Sequence, residues 1–440
     1  MSDFQAEYEQ KKCTAQQAVQ QVKSGDRIYV GTCSSIAYKL CQALEQREQE
    51  LENVVISCSQ YRRSARFFAQ DAQGHFDFCS YFMGISERQG LGPERGEFTS
   101  VHLSQIGIWC AQTARPNVAF LEVSPCDFNG YMSFGASGVA LHRQIADQAD
   151  TVILQVNRSV PYVYGEDHLI HCSQADFIVE ADDSLETAQE LPADARVQAI
   201  SRHIVALIPD GATIQLGLGG LASAVGYGLR EKNDLGIHSE LMSDVMMRLM
   251  KDGVVTNRRK TLFPGKSVAS FAFGSEELYQ FLDHNSSVYF LPFSKTNDPA
   301  LIAQNENMIS INTAMSIDLF GQVAADSLGF RQQSGTGGQL DFVRGAQLAK
   351  GGKSFFALTS TLEKPGRPPL SRIVSAFPAG TAVTTPRSDV QYIATEYGCV
   401  NLKPLSMRDR VRAMIGLAHP QFREQLKDQA RQAGILNECS

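Results

Sequence analysis

The chain has 440 residues, 43% of them hydrophobic and 20% charged, with a formal net charge of −7. That length exceeds one comfortable core and predicts two domains of roughly 200 residues each, and the acidic balance argues against a nucleic-acid surface. No apolar run reaches the ~18 residues of a membrane span, and the polar amino terminus MSDFQAEYEQKKC carries no apolar leader, so a cytoplasmic protein without a membrane association is expected.

From the amino terminus, residues 15–44 predict an amphipathic helix, a Gly-Asp turn, a short strand at 27–30, a glycine and a second helix. Strands are expected next at 53–57, 117–123 and 151–156, each an apolar, β-branched run. The polar stretch 181–195, ADDSLETAQELPADA, marks a boundary, giving domains 1–188 and 189–440. Beyond it, residues 198–229 repeat the first pattern: helix at 197–208, Asp-Gly turn, strand at 212–216, glycines, helix at 222–232. A strand at 235–240 then matches the one at 53–57, and strands at 355–358 and 391–395 and a helix at 405–431 complete the pattern. The fold class is therefore α/β: two similar open domains, with ligands at the carboxyl ends of strands. The ten cysteines form no C-x-x-C pair, and the closest two, Cys33 and Cys41, are eight apart. Neither a zinc site nor a disulfide framework is expected.

The two halves differ where chemistry would sit. The first has Gly31-Thr-Cys-Ser after its strand and ends the next strand in Ser57-Cys58-Ser59; the second has Gly217-Leu-Gly219-Gly220 and His238-Ser239-Glu240. A glycine turn and a carboxylate occur together only in the second half, which is where function is expected to concentrate. The segment Gly217 to Ala222 also matches the G-x-G-x-x-A dinucleotide fingerprint, and Glu240, 21 residues past Gly219, stands near where a ribose-binding acid would be. A nucleotide ligand, a catalytic carboxylate and a plain packing turn all fit this local pattern. A second glycine cluster, Ser334-Gly-Thr-Gly-Gly338-Gln, followed by Asp341-Phe-Val-Arg344, suits a substrate with two stabilisation needs, such as a thioester carbonyl and a CoA tail.

With these motifs the sequence resembles the acetyl-CoA hydrolase/transferase family, which includes 4-hydroxybutyrate and butyryl-CoA:acetate CoA-transferases. The resemblance runs from about residue 10 to about 425 and is carried by GIHSELMSD (236–244), GVVTNRRKTLFPGK (253–266), NDPALIAQNENMISINTAMSIDLFGQV (297–323), SGTGGQLDFVRGA (334–346), TPRSDVQYIATEYG (385–398) and LAHPQFREQL (417–426). In the first half SPCDFNGYMSFG (124–135), ADTVILQVN (149–157) and ADFIVE (175–180) also match. The resemblance implies that Glu240 is the nucleophile, that Gly217, Leu218, Gly219, Gly220, Leu221, Met315 and Gly338 line the CoA site, and that Asn297 orients the carboxylate or the reacting carbonyl. It implies an active site in the cleft between the domains, whose closure would shield an anhydride from water, and no metal or cofactor beyond CoA itself as substrate. Acyl-CoA and a small carboxylate are the implied partners, and a homodimer the implied assembly.

A desolvated, oriented carboxylate is a competent nucleophile toward a thioester. Backbone N–H groups at Gly220 or Gly338 could each stabilise the oxyanion by about 3 kcal/mol. His238 reads as a packed strand histidine on the face of Glu240, Glu396 as a structural anchor, and Asn257-Arg-Arg-Lys260 as a solvated turn or a phosphate contact; Arg344 fits a CoA phosphate or Asp341 equally. Three departures from the family pattern stand out: Pro161-Tyr162-Val163-Tyr164 where relatives carry Pro-Arg-Thr, Ala222-Ser223, and Val245. The first puts the acyl pocket in doubt, because losing an arginine changes how an acid's far end can be held; none removes the implied nucleophile. A CoA-ester hydrolase, an NAD-binding oxidoreductase and a non-catalytic acyl-CoA binder are the competing functions.

Overall fold

The computed structural model describes residues 3–112, 115–189 and 192–437. The chain forms two compact units: 1–189 with 240–244 and 266–296, and 190–239 with 245–265 and 297–440. The boundary stretch 181–195 is crossed again downstream, because two later segments fold with the first unit.

The first unit is built on a seven-stranded sheet in the order Glu97–Phe98, Phe76–Ser80, Val54–Ser59, Arg27–Thr32, Val118–Val123, Thr151–Asn157, Phe177–Ala181. Every neighbouring pair is parallel. Parallel strands covered on both faces need continuous apolar runs, and Val118–Val123 is buried at all six positions. Strand order reverses between Arg27–Thr32 and Val118–Val123, the kind of switch point at which open sheets bind ligands. The later segments add two short parallel pairs, Leu241–Met242 with Phe271–Ala272 and Ser267–Ala269 with Val288–Phe290. The second pair is tied to the loop at 162–166 by Phe290 N–H to Tyr164 O (2.8 Å) and Glu166 N–H to Phe290 O (2.9 Å).

The second unit carries a six-stranded sheet, Gly236–Ile237, Thr213–Leu216, Met308–Thr313, Lys353–Ala357, Tyr392–Thr395, Gly398–Asn401, parallel except for the last pair. Its helix Ala195–Val205 begins at Asp194, whose side chain accepts from Val197 N–H.

Two expected elements differ. The helix at 405–431 is two helices, Met407–Leu417 and Pro420–Gln432: Pro420 has no N–H to continue a ladder and sits in the first turn of a new helix, which His419 caps. The strand at 235–240 stops at Ile237 and resumes as Leu241–Met242 with a different partner, so His238 and Glu240 do not share one strand face. Nine cysteines are free thiols; Cys439 lies outside the described residues. Among the described residues no helix is long and apolar enough to cross a membrane.

Candidate active site

Glu240 is held by its backbone. Ser270 and Phe271 N–H groups both donate to its carbonyl, at 3.0 and 3.1 Å, and the next two residues pair with Phe271–Ala272. Two residues on, the Asp244 carboxylate accepts from Ser275 N–H at 2.9 Å and from the Ser275 hydroxyl, while Ser275 caps the helix Glu276–Leu282. The segment is thereby fixed to the first unit rather than left as a flexible link.

The Glu240 side chain faces a small cleft of about 10 Å³, space for about one water-sized group. Three hydroxyl residues line it, Thr32, Ser59 and Tyr81, together with Gln60 and the apolar Phe82, Leu103, Phe271 and Phe293. Thr32 and Ser59 are register partners at the carboxyl ends of adjacent parallel strands, and their hydroxyls share a hydrogen bond of 2.5 Å. Each is followed by a non-glycine residue in the left-handed region, Cys33 at φ 53° and Gln60 at φ 52°. Such strain persists only where the surroundings impose it, and here it turns both chains away at the same level and leaves the two hydroxyls facing the cleft. Tyr81 is 2% exposed, and its hydroxyl has no hydrogen-bond partner of good geometry among the described residues. Burial raises its ionisation well above the usual phenol range, opposed by the nearby Ser59 and Thr32. Glu240 is the one charged side chain in this lining.

In the second unit the residues implied for CoA converge on one end of the sheet. The turn Gly217–Gly220 follows Thr213–Leu216, with Gly217 N–H donating to Ile311 O at 3.0 Å. Gly219 has φ 110° and ψ 168°, a conformation essentially confined to glycine. A Cβ there would meet open space, so the glycine is required by the backbone, not by close packing. The helix Gly220–Gly228 opens with Ser223 N–H to Gly219 O, which leaves the N–H groups of Gly220, Leu221 and Ala222 ahead of its ladder; Leu218 is 44% exposed. Met315 lies just past the adjacent strand, its N–H on Ala324 O and its carbonyl held by Arg372 Nε at 2.9 Å. Gly338 precedes the helix Gln339–Leu348, and the Gln339 amide reaches Thr313 O at the end of that same strand. Asn297 is fully buried. Among the described residues no group of His, Cys, Asp and Glu is arranged to hold a metal ion.

Several other side chains resolve to structural roles. His238 is buried, its Nδ1 3.2 Å from Asn305 Nδ2 and its ring edge-on to Phe342. Arg344 pairs with Asp389 at 3.2 Å, a partner absent from both sequence readings. Glu396 accepts from Ser360 N–H and hydroxyl. In the basic run, Arg258 pairs with Asp234 at 2.6 Å, but Lys260 turns inward and is 4% exposed. Tyr162 stacks on His284 at 5.0 Å and donates to Asp127, with Tyr164 edge-on beside them; neither lines the Glu240 cleft.

The chain matches the acetyl-CoA hydrolase/transferase N-terminal domain over residues 1–188 and the C-terminal domain over residues 274–430. It belongs to the acetyl-CoA hydrolase/transferase family. It is 38% identical to the 4-hydroxybutyrate coenzyme A transferase of Clostridium kluyveri over 96% of this chain and 97% of that one. It is 37% identical to the butyryl-CoA:acetate CoA-transferase of Anaerostipes caccae, over 98% of both. Among solved structures, RipA from Yersinia pestis superposes with a TM-score of 0.93 at 35% identity, covering 99% of this chain and all of the other.

In this acetyl-CoA hydrolase/transferase member the implied site residues are divided: residues 217–221, Asn297, Met315 and Gly338 lie in the second unit, as the sequence reading expects, and Glu240 does not. Glu240 folds with the first unit, and the residues around it are the Thr32 and Ser59 that end the first half's two leading strands. Their polar character at strand ends was visible; that a distant glutamate returns to them depends on the pairing of Leu241–Met242 with Phe271–Ala272, which no local pattern reports.

Proposed function

We propose that the chain is a CoA-transferase moving CoA between short carboxylic acids through a covalent intermediate on Glu240. The observation that carries this reading is a carboxylate residue pinned by its backbone and lining a narrow cleft with Thr32 and Ser59, at the carboxyl ends of parallel strands. Relatives named for 4-hydroxybutyrate and for butyrate and acetate support small acids as the substrate class.

The Glu240 carboxylate attacks the acyl-CoA carbonyl, the C–S bond breaks, and CoA leaves as a thiolate. A mixed anhydride remains. The thiolate attacks the glutamyl carbonyl, which expels the first acid and leaves a glutamyl-CoA thioester; an incoming carboxylate runs the two steps in reverse. Gly217 to Leu221, Met315 and Gly338 are the proposed CoA contacts, Gly338 an oxyanion donor with Asn297 orienting the reacting groups. The working unit proposed is a cytoplasmic homodimer.

Intact-mass measurement after adding an acyl-CoA tests the mechanism: a gain of one CoA less water, mapped to Glu240, is expected. An active enzyme with no such adduct overturns it. The hydrolase reading predicts CoA release that ignores the acceptor acid, and the NAD-binding reading predicts indifference to CoA esters altogether.

A further inference from the structure

Met315 stands at one end of a small three-stranded sheet in the second unit, where Ser316–Asp318 lies between Val323–Ala324 and Ile373–Val374. The first pair is antiparallel and the second parallel, so Ala324 comes beside Ser316 and Ile373 beside Ile317. Met315 N–H bonds to Ala324 O and Ile317 N–H to Arg372 O, each at 2.9 Å. Two hairpins therefore leave this sheet at the Met315 end. One pairs Ser327–Leu328 with Arg331–Gln332, the other Thr361–Leu362 with Leu370–Ser371. The first runs directly into the second glycine cluster: Gln333 N–H donates to Asp326 O at 2.7 Å, and the Gln332 amide to Ser334 O at 2.9 Å. Its base thus links the neighbours of Met315 to the turn that ends in Gly338.

The tip of this hairpin is held firmly and yet presents a bare ring. Gly329 N–H donates to the Thr381 hydroxyl at 2.7 Å and Ala382 N–H to the Ser327 hydroxyl at 2.9 Å. Phe330 is 92% exposed, and it is set against Gly380, where an added Cβ would come within 2.6 Å of the ring. Arg331 beside it is exposed, as are Lys364 and Arg367 on the other hairpin, and none of the three pairs with a carboxylate among the described residues. The acids on the same segments are engaged: Glu363 pairs with Arg196 at 2.6 Å, and Asp326 accepts from the Thr384 hydroxyl. In a chain of net charge −7, unneutralised cations around a supported aromatic ring suit a planar base that carries phosphates.

We propose that the Phe330–Arg331 tip holds the nucleotide end of CoA, an assignment that rests on the CoA-transferase reading and extends its CoA site. The adenine ring stacks on Phe330, and the Arg331 guanidinium binds the ribose 3′-phosphate. Lys364 and Arg367 add attraction for the phosphates from the second hairpin. A thioester that ends at pantetheine has neither base nor 3′-phosphate and gains nothing from the tip.

Calorimetric titration of the full chain with CoA and with 3′-dephospho-CoA tests the assignment. The wild type is expected to bind CoA about tenfold more tightly than the dephospho form. Arg331→Ala should bring the two Kd values within about twofold of each other. Phe330→Ala should weaken both by about tenfold, and Phe330→Trp should restore them. Equal affinity of the wild type for the two nucleotides, or variants that both bind CoA as the wild type does, overturn the assignment; if the CoA adduct on Glu240 still forms, the CoA-transferase reading stands without it. Conversely, CoA binding that depends on Phe330 and Arg331 in a chain that forms no adduct with any acyl-CoA keeps the nucleotide site and overturns the transferase mechanism.

Discussion

The Lys260 ammonium donates to the Ile237 carbonyl at 2.7 Å, while the Asn257 side-chain oxygen accepts from the Ile237 N–H at 2.9 Å. Ile237 ends the edge strand of the second unit's sheet. Its outward backbone groups, which another strand would otherwise satisfy, are closed by two side chains of one turn. Glu240 follows three residues later, so this clamp sets where the chain leaves the sheet.

Burial pushes the Lys260 amine down from 10.5 to about 7. Between these values the unfolded lysine keeps a proton that the folded one has lost, so stability rises with pH from about 7 to about 10. Lys260→Met is expected to lack that rise. Urea unfolding at pH 7, 8 and 9 should show the wild type gaining on the variant by on the order of a few kcal/mol; parallel curves would mean the amine stays charged.

Glu240→Gln keeps the shape of the side chain and removes the carboxylate that the proposed mechanism uses as nucleophile. Turnover is expected to fall by roughly three orders of magnitude or more, with the covalent CoA adduct gone and the unfolding temperature nearly unchanged. Initial rates and intact mass check this, and a rate within tenfold of wild type would move the nucleophile elsewhere.

Gly219→Ala forces a side chain into a backbone conformation at φ 110° that costs about 1–3 kcal/mol. Because the added Cβ meets no neighbour, the effect should come from the turn itself. KM for acyl-CoA is expected to rise more than kcat falls. A fall confined to kcat would separate the turn from CoA binding.

Glu122 is 3% exposed, its Oε1 accepting from Gln155 and Asn157 side-chain amides at 3.0 and 2.9 Å. Burial lifts its carboxyl from 4.5 to about 8 despite those two donors. The folded state therefore holds a proton that the unfolded chain gives up, and stability falls as pH climbs from about 4.5 to about 8. Glu122→Gln, which keeps the acceptor, should flatten that part of the profile in thermal melts across the window. An unchanged slope would mean that Glu122 ionises normally.

The sheets were legible because their strands are buried on both faces: Val118–Val123 and Thr151–Asn157 are mostly apolar, and their buried Glu122, Gln155 and Asn157 hydrogen-bond to one another. The turn at Gly217–Gly220 was legible because few residues tolerate its conformation. Pro420 was a visible breaker, masked by an amphipathic pattern that continues on either side of it. Lys260 was misread because a lysine in a basic run has no local mark of burial; the pocket that takes it is built from Gly236 and Ile237. Thr32, Ser59 and Tyr81 are common residue types, and only the strand register and the return of residue 240 bring them together.

That return also bears on how the chain is made. The first unit is not finished at residue 189, since it needs 240–244 and 266–296. A ribosome must therefore deliver about two-thirds of the polypeptide before the nascent first unit can close its last strands. Until then the partners of Phe290 at Tyr164 and Glu166 wait without their strand. A gene cut at the sequence boundary would yield an incomplete amino-terminal piece, and Glu240 would be synthesised on the fragment that lacks the rest of its unit.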